Sequence, residues 1–378
     1  MLIGNLFHDL PKKLKLHEFR NLSFDSRYCK NKDIYFSIKG TSKNGNKFIN
    51  EAIKNGAKTI VSDNSFQGFK NRILYIKSKN VRSKLSYAAS KLYNKKPNNI
   101  IGVTGTNGKS SIANFYYQIL SNNNKKSASI GTLGIKSKLK NKNLNITTLD
   151  PLNLHQSLQL IKNKKINNVI LEASSHGLKQ SRLDHLKFNC SIFTNLSRDH
   201  LDYHKTFKDY LNSKLKLFRL LMKKNSTIIF DNDLPISNIF KQIGKSKKLK
   251  SITIGVKNSD LNINKIYYRD ELLLVEFNYK KKNYLIKLKL IGKLQIKNLL
   301  MACLAAEKSG LKFSKIISNI HKIKPVEGRL QQINKIKNNS RVILDFAHTP
   351  DALKYSLQNI KEQFPFSNLN IVFGCGGN

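Results

Sequence analysis

The sequence predicts an α/β protein built around a mostly parallel sheet with covering helices. Three observations carry that expectation. Short apolar runs at 99–103, 169–172, 190–194 and 227–230 read as buried strands, and helical patterns over 152–162, 207–222 and 295–309 fall among and after them. A glycine-rich turn, Gly102-Val103-Thr104-Gly105-Thr106-Asn107-Gly108-Lys109-Ser110, joins the first of those strands to a helix over 111–120. Strand, helix and strand follow again at 341–346, 351–363 and 369–373, the start of a further βαβ unit.

Residues 1–97 form a smaller α/β region. Strands are expected at 33–38, 58–62 and 73–76, a helix at 46–56 closed by Gly56, and an amphipathic helix at 82–93. Two polar stretches, Ser23-Phe24-Asp25-Ser26-Arg27 and Gly40-Thr41-Ser42-Lys43-Asn44-Gly45, read by themselves as solvated loops. Lys95-Lys96-Pro97 marks the boundary with a central region spanning 98–327. Within it a strand is expected at 127–130, and the apolar/polar alternation over 261–290 suits an antiparallel hairpin or meander. A third region opens at Gly328-Arg329 and ends on Gly374-Cys375-Gly376-Gly377-Asn378, so residues 328–378 are expected to be a truncated domain.

The glycine-rich turn has the form of a phosphate-binding loop. Backbone N–H groups of the turn and helix start face the phosphates, Lys109 neutralises charge and the Ser110 hydroxyl can reach Mg²⁺. Val103 stands where the general loop pattern has glycine, leaving the narrower variant G-x-T-G-T-N-G-K-S. A structural turn of the same composition is the plainer alternative.

Composition excludes several classes. Hydrophobic residues at 40% and aromatics at 9% suit a globular protein. No apolar run approaches the ~18 residues of a membrane helix, and Met1 to Lys15 has no signal-peptide pattern, so a cytoplasmic protein without membrane insertion is expected. Cys29, Cys190, Cys303 and Cys375 show no C-x-x-C pairing or metal spacing and are expected as reduced thiols. The formal charge of +45 suggests a polyanion partner. Its lysines are, however, spread through every segment among Asn and Ile, as a compositional bias would leave them, and no nucleic-acid-binding signature accompanies them. No specific nucleic-acid partner is expected.

Further candidates lie at strand ends. Glu172 ends the run Asn168-Val169-Ile170-Leu171-Glu172, where an acid beside a phosphate loop can hold Mg²⁺, or can cap a helix or pair a lysine instead. Asp199, His200, Asp202 and His204 crowd a polar turn after 190–194, and His200 is a candidate metal ligand. Lys214 follows one helix on, and a lysine can carry a carbamate that ligates Mg²⁺. Asn298 is a polar residue on an apolar helix, while Arg329 and Asp345-Phe346-Ala347-His348 add a cation and an acidic strand end.

Together these motifs resemble the Mur ligases, ATP-dependent enzymes that add amino acids to the peptidoglycan precursor. The residues carrying the resemblance are G-V-T-G-T-N-G-K-S at 102–110, T-T-L-D-P at 147–151, L-E-A-S-S-H-G-L-K-Q-S-R-L at 171–183, F-T-N-L-S-R-D-H-L-D-Y-H at 193–204, and E-G-R-L with D-F-A-H-T-P-D-A-L near the end. They are most similar to the subgroup that adds the third peptide residue (the MurE type). The resemblance implies a three-domain architecture: a UDP-precursor-binding domain at 1–97, a phosphate-loop ATPase domain at 98–327, and the start of a Rossmann-like amino-acid-binding domain at 328–378.

It also implies roles. Gly105, Thr106, Asn107, Gly108, Lys109 and Ser110 would hold ATP, with Asn298, Arg329, Asp345 and His348 as further nucleotide-side residues. Ser110, Glu172, His200 and a carbamylated Lys214 would hold Mg²⁺, and Lys109, Glu172, His200 and Lys214 would be the catalytic set. Ser26, Thr41, Ser42, Lys43, Thr147, Thr148, Ser174, Gln180 and Arg182 would contact the UDP-N-acetylmuramoyl-dipeptide. The other substrate would be a free diamino acid, and a monomer is expected. Diaminopimelate is expected over L-lysine as the commoner choice in Gram-negative bacteria.

Departures from the family pattern are Gln295 and Ser111, where many relatives have Asn and Thr, and the end of the chain. The family's arginine after G-C-G-G and its D-N-P-R motif are absent, so the chain as given is expected not to complete the ligation. Alternatives are a sister ligase (D-alanyl-D-alanine-adding or folylpolyglutamate synthase), against which S-S-H-G-L-K-Q-S-R argues, and a non-catalytic nucleotide- or polyanion-binding protein.

Overall fold

A computed structural model describes residues 1–40, 43–138, 143–144, 146–269, 272–335 and 340–374. The chain forms two compact units. The first comprises Met1–Pro97 with two later segments, Leu149–Lys165 and His176–Leu186. The second holds the rest.

In the first unit, strands β1 (Leu22–Ser23), β2 (Ile34–Phe36), β3 (Thr59–Ser62), β4 (Gly68–Lys70) and β5 (Ile73–Lys77) form a sheet in the order β1-β2-β3-β5-β4, parallel except for β4. β2 and β3 are buried on both faces, as continuous apolar parallel strands are. Side chains alternate across the sheet: Ile34, Phe36, Val61 and Leu74 meet one core, while Tyr35, Ile60 and Ile73 meet Ile49 and Ala52 on the other side. The Val81–Leu92 helix buries Val81, Leu85, Ala88 and Ala89 along one stripe, and Asn80 caps it by accepting from the Ser83 N–H. The expected helix over 46–56 is shorter, Ile49–Lys54, because Gly45–Phe48 winds as a 3₁₀ turn first.

The Pro151–Asn163 helix also belongs to this unit. Asp150 accepts from the Asn153 N–H as its cap and Pro151 occupies the first turn, where a missing N–H costs nothing. Its buried face includes His155, whose two ring nitrogens meet no partner among the described residues. Burial, aided by Lys96 and His185, lowers its pKa from 6.5 to about 3. The unfolded chain therefore binds a proton that the folded one refuses between those values. Stability associated with neutral His155 is complete above about pH 6.5 and is lost as pH falls toward 3. His155→Leu is expected to raise unfolding stability by about 1 kcal/mol at neutral pH and to flatten that acid limb, read by urea denaturation at several pH values.

The second unit carries a ten-stranded sheet in the order β15-β14-β13-β12-β11-β10-β6-β9-β7-β8. Its strands are β6 (Asn99–Thr104), β7 (Ser127–Gly131), β8 (Gly134–Ser137), β9 (Asn168–Glu172), β10 (Phe188–Phe193), β11 (Met222–Asp231), β12 (Lys250–Gly255), β13 (Leu261–Arg269), β14 (Leu272–Tyr279) and β15 (Lys282–Leu288). From β7 to β12 the strands run parallel, with β6 at the centre. β13, β14 and β15 form the expected antiparallel meander. The helix expected over 207–222 ends at Leu220, and Met222 begins β11 instead. The Lys293–Lys308 helix packs beside the Lys109–Asn122 helix, and its nearly continuous apolar run is buried between that helix and the sheet.

Near the end, β16 (Gln331–Lys335) pairs antiparallel with β17 (Arg341–Leu344), and the Pro350–Gln363 helix starts at a Thr349 cap. The strand expected over 369–373 does not form. Its residues find no ladder partner among the described residues, and Ile371, Val372 and Phe373 are exposed; without a neighbouring strand, apolar sequence alone does not make one. The described Cys29, Cys190 and Cys303 are free thiols. Among the described residues no helix is long and apolar enough to cross a membrane.

Candidate functional site

Sheet register brings four strand ends of the second unit together. Phe193 pairs with Thr104, Val103 with Glu172 and Ile130 with Leu171, so the turns after β6, β7, β9 and β10 emerge at one edge. In parallel sheets this is where ligands collect.

The turn after β6 is clasped on two sides. Gly105 has φ +149° and a Cβ there would lie 1.8 Å from Thr194 Oγ1; Gly108 has φ +88° and its Cβ would lie 2.5 Å from Asn298 Oδ1. Backbone conformation requires glycine at both, and at Gly105 the crowding by Thr194 and the Asn195 backbone requires it as well. Asn195 accepts from the Thr106 N–H through its carbonyl (3.0 Å) and from the Asn107 N–H through its side chain (2.9 Å). Thr194 donates to the Asn107 carbonyl at 2.5 Å, and Thr106 shares a 3.0 Å bond with the Tyr210 hydroxyl. The loop is thus held by its outer groups. The first N–H groups of the Lys109–Asn122 helix have no intrahelical acceptor, and Gly108 offers no capping side chain, which leaves an anion site.

Two lysines converge on this loop. Lys109 Nζ donates to the carbonyls of Gly105 (3.0 Å) and Thr106 (2.7 Å). Lys214 Nζ donates to the same Gly105 carbonyl at 2.7 Å and lies 4.2 Å from the centre of the Tyr210 ring. Lys214 reaches there because Tyr210, Lys214, Leu217 and Phe218 form the inward stripe of the Phe207–Leu220 helix. Burial, then repulsion from Lys109, pushes the Lys214 amine well below the ordinary lysine range, with Asp199 opposing. Burial also lowers Lys109, partly offset by Glu172 and Asp199.

Glu172 is buried, and hydroxyl and N–H donors surround its carboxylate. Ser110 Oγ donates to Oε2 (2.9 Å), as does Thr132 Oγ1 (3.1 Å), while the Thr132 N–H donates to Oε1 (2.9 Å). Burial raises its pKa, opposed by Lys109 and these donors. The carboxylate lines a small pocket with Ser110, Asn114, Ser129 and Leu133. Carboxylate and hydroxyl oxygens suit Mg²⁺, which takes one or two protein ligands and completes its shell with water and substrate phosphates. Among the described residues no group of three His, Cys, Asp or Glu residues that could hold a metal gathers.

His200 sits in the left-handed region (φ 52°), turned by its N–H bond to Asp199 Oδ1 at 2.8 Å. Its ring is partly exposed, with Nε2 3.4 Å from Asp199 Oδ2. Burial lowers its pKa and Asp199 opposes the shift, so the imidazole favours the neutral form that a metal ligand needs. Thr147 Oγ1 lies 3.0 Å from Thr132 Oγ1; Thr148 Oγ1 donates to the Glu172 carbonyl (2.8 Å) and accepts from the Ser174 N–H (3.0 Å). Asn298 faces Gly108 from the neighbouring helix. The Arg329 guanidinium stacks 4.6 Å from the Phe346 ring, and burial lowers its pKa against the pull of Glu172 and Asp345. Asp345 accepts from the Leu330 N–H (3.2 Å) and from Ser356. His348 is exposed, with Nδ1 3.0 Å from the Phe346 carbonyl.

The remaining candidates belong to the first unit. Ser26 donates to Glu51 Oε2 at 2.7 Å, and Arg182 makes two bonds to Gln180 Oε1 at 3.0 and 2.7 Å. Lys43 is exposed and its carbonyl accepts from the Gly40 N–H at 2.7 Å; Thr41 and Ser42 lie outside the described residues. Sequence reasoning passed over Thr132, Thr194 and Asn195 as site residues. Thr132 had a readable signal, since Gly131-Thr132-Leu133-Gly134 directly follows an expected strand at the same sheet edge.

Comparison with known proteins identifies the family. Residues 103–306 match the Mur ligase middle domain and residues 328–378 the Mur ligase, glutamate ligase domain. A UDP-N-acetylmuramoyl-L-alanyl-D-glutamate--2,6-diaminopimelate ligase of Rickettsia montanensis is 37% identical over 98% of this chain and 77% of its own length. The ligase of the same name from Chelativorans sp. is 33% identical over 94% of this chain and 73% of its own. A solved structure of a UDP-N-acetylmuramoyl-L-alanyl-D-glutamate--2,6-diaminopimelate ligase superposes with a TM-score of 0.82 at 26% identity, covering 96% of this chain and 74% of that one. MurF ligase from Thermotoga maritima, solved in complex with ADP, shares the fold at TM-score 0.62 and 17% identity, covering 91% of this chain and 75% of its own.

Proposed function

Because this chain belongs to the Mur ligase family, we propose that it is an ATP-dependent ligase adding meso-diaminopimelate, as the third peptide residue, to UDP-N-acetylmuramoyl-L-alanyl-D-glutamate in peptidoglycan synthesis. The observation that carries this reading is Glu172, buried against Ser110 and Thr132 at the mouth of a loop held by Lys109 and Lys214. ATP would phosphorylate the precursor's terminal carboxylate, with Mg²⁺ offsetting the charge that gathers between the two anions. Helix-start N–H groups and Lys109 would bind phosphate, and Ser110, Glu172 and His200 would supply the ligand atoms for the cation. Asn298, Arg329, Asp345 and His348 would border the nucleotide.

Lys214 as a carbamate belongs to the same proposal. A buried amine held below its ordinary pKa is the neutral nucleophile that adds CO₂, and the product is a carboxylate-like ligand. Ser26, Lys43, Gln180 and Arg182 share the first unit, which supports precursor recognition there. Thr147, Thr148 and Ser174 serve the precursor from the side of Glu172. Residues 98–327, without the segments Leu149–Lys165 and His176–Leu186 that belong to the first unit, would form the ATPase domain, and residues 328–378 would belong to the amino-acid-binding domain. The protein would act in the cytoplasm as a monomer, without a specific nucleic-acid partner.

Calorimetric titration with UDP-N-acetylmuramoyl-L-alanyl-D-glutamate, with and without a Mg²⁺-ATP analogue, tests the reading. Saturable binding that falls at least about tenfold in Arg182→Ala is expected, the order of one charge-assisted contact. A folded protein that binds the nucleotide analogue but not the precursor would overturn the substrate assignment.

A further inference from the structure

Three hydroxyl groups and one carboxylate form a chain across the site. Thr147 Oγ1 lies 3.0 Å from Thr132 Oγ1, Thr132 Oγ1 lies 3.1 Å from Glu172 Oε2, and Ser110 Oγ reaches the same Oε2 at 2.9 Å. A threonine hydroxyl has one proton to donate. Thr132 can therefore donate to Glu172 or to Thr147, but not to both. While it donates to Glu172, the Thr147–Thr132 bond requires Thr147 to be the donor, and Thr147 meets a ligand with lone pairs only. If a cation takes the Oε2 lone pair that Thr132 uses, that oxygen no longer accepts from Thr132. The hydroxyl then turns to Thr147, whose own proton becomes free for an anionic acceptor.

We propose that Thr132 is a positioning residue that couples the two substrates: cation and nucleotide at Glu172 switch Thr147 from acceptor to donor, and so tighten binding of the precursor's carboxylate. The inference rests on the ligase reading, which puts Mg²⁺ at Glu172 and the precursor at Thr147. The two donor directions are the two discrete states that such coupling requires. The Thr132 N–H bond to Oε1 (2.9 Å) keeps the carboxylate in place in both, so only the hydroxyl has to rotate. Linkage makes the effect reciprocal, the precursor raising nucleotide affinity by the same factor.

The test is titration of the full chain with UDP-N-acetylmuramoyl-L-alanyl-D-glutamate, in the presence and absence of saturating Mg²⁺ and a non-hydrolysable ATP analogue, and in the reverse order. Wild type is expected to bind each ligand about fivefold tighter when the other is present. Thr132→Val keeps the size and backbone but has no hydroxyl, and should bring that factor to about one. Thr132→Ser should restore it, which a purely structural role would not require. Thr147→Val breaks the chain at its other end and should also uncouple the ligands, a second route if Thr132→Val does not fold. Wild-type coupling in folded Thr132→Val or Thr147→Val would overturn the proposal, as would a wild type that binds both ligands independently. A wild type that binds nucleotide and no precursor would overturn the ligase reading, and this inference with it.

Discussion

Lys214→Ala is expected to lower the rate at which ATP phosphorylates the precursor by at least about a hundredfold, the order of losing one preorganised electrostatic group. The side chain is 1% exposed, has no carboxylate bonded to it among the described residues, and shares the Gly105 carbonyl with Lys109. Two ammonium groups on one carbonyl in a dry site repel each other, and burial with that repulsion favours the neutral amine at Lys214. If the amine takes up CO₂, the charge at this position changes sign and Lys109 faces an anion instead of a like charge. Labelled bicarbonate should then give a carbamate carbon resonance in wild type that is missing from Lys214→Ala. Added short-chain carboxylic acids should restore part of the variant's rate. Lys214→Arg, permanently charged and unable to form a carbamate, should be as inactive as the alanine variant and should not respond to the acids. A wild-type rate in Lys214→Ala would remove this residue from the mechanism.

Gly105→Ala should weaken nucleotide binding through a steric clash and backbone strain together. The new Cβ would lie 1.8 Å from Thr194 Oγ1, and φ at this position is +149°, where a side chain is strained whatever the space. Thr194 cannot simply rotate away without giving up its bond to the Asn107 carbonyl, which is part of the clasp that aims the loop. The variant should therefore lose at least about tenfold in affinity for a Mg²⁺-ATP analogue. Its unfolding transition should also fall, by roughly 1–3 kcal/mol, as strain of this kind does. Thr194→Ala removes the clashing oxygen, and the double variant Gly105→Ala/Thr194→Ala should recover part of the stability. Calorimetry and thermal melts on the three proteins separate the clash from the backbone strain.

Local pattern made much of this molecule legible. The strand–loop–helix around Lys109 is consecutive in sequence, so its geometry follows from short-range rules: an apolar strand, glycines where φ turns positive, a helix start left uncapped for an anion. The meander over 261–290 was readable because alternation is a local property. Glu172 was placed beside the loop by its position at a strand end, whereas Asn298 and Arg329 were joined to it only through the family's motifs, since residues this distant in sequence meet by register and packing.

Segment ends were less legible for the same reason. Nothing near Met222 says that the helix has stopped two residues earlier; pairing along β10 draws that residue into β11. The run at 369–373 has all the composition of a strand and forms none, because strand formation is a property of two segments.

By itself the sequence determined the α/β class, the phosphate loop, the position of the acid at the end of a strand, and a family whose members share them. Each depends on neighbours within one element. Tertiary structure alone decided that Lys214 lies buried on the carbonyl Lys109 also uses, that Thr194 and Asn195 clasp the loop, and that Thr132 stands between Glu172 and Thr147. Those relations join turns that are far apart in the chain, and only the shared edge of a parallel sheet brings them within hydrogen-bond reach.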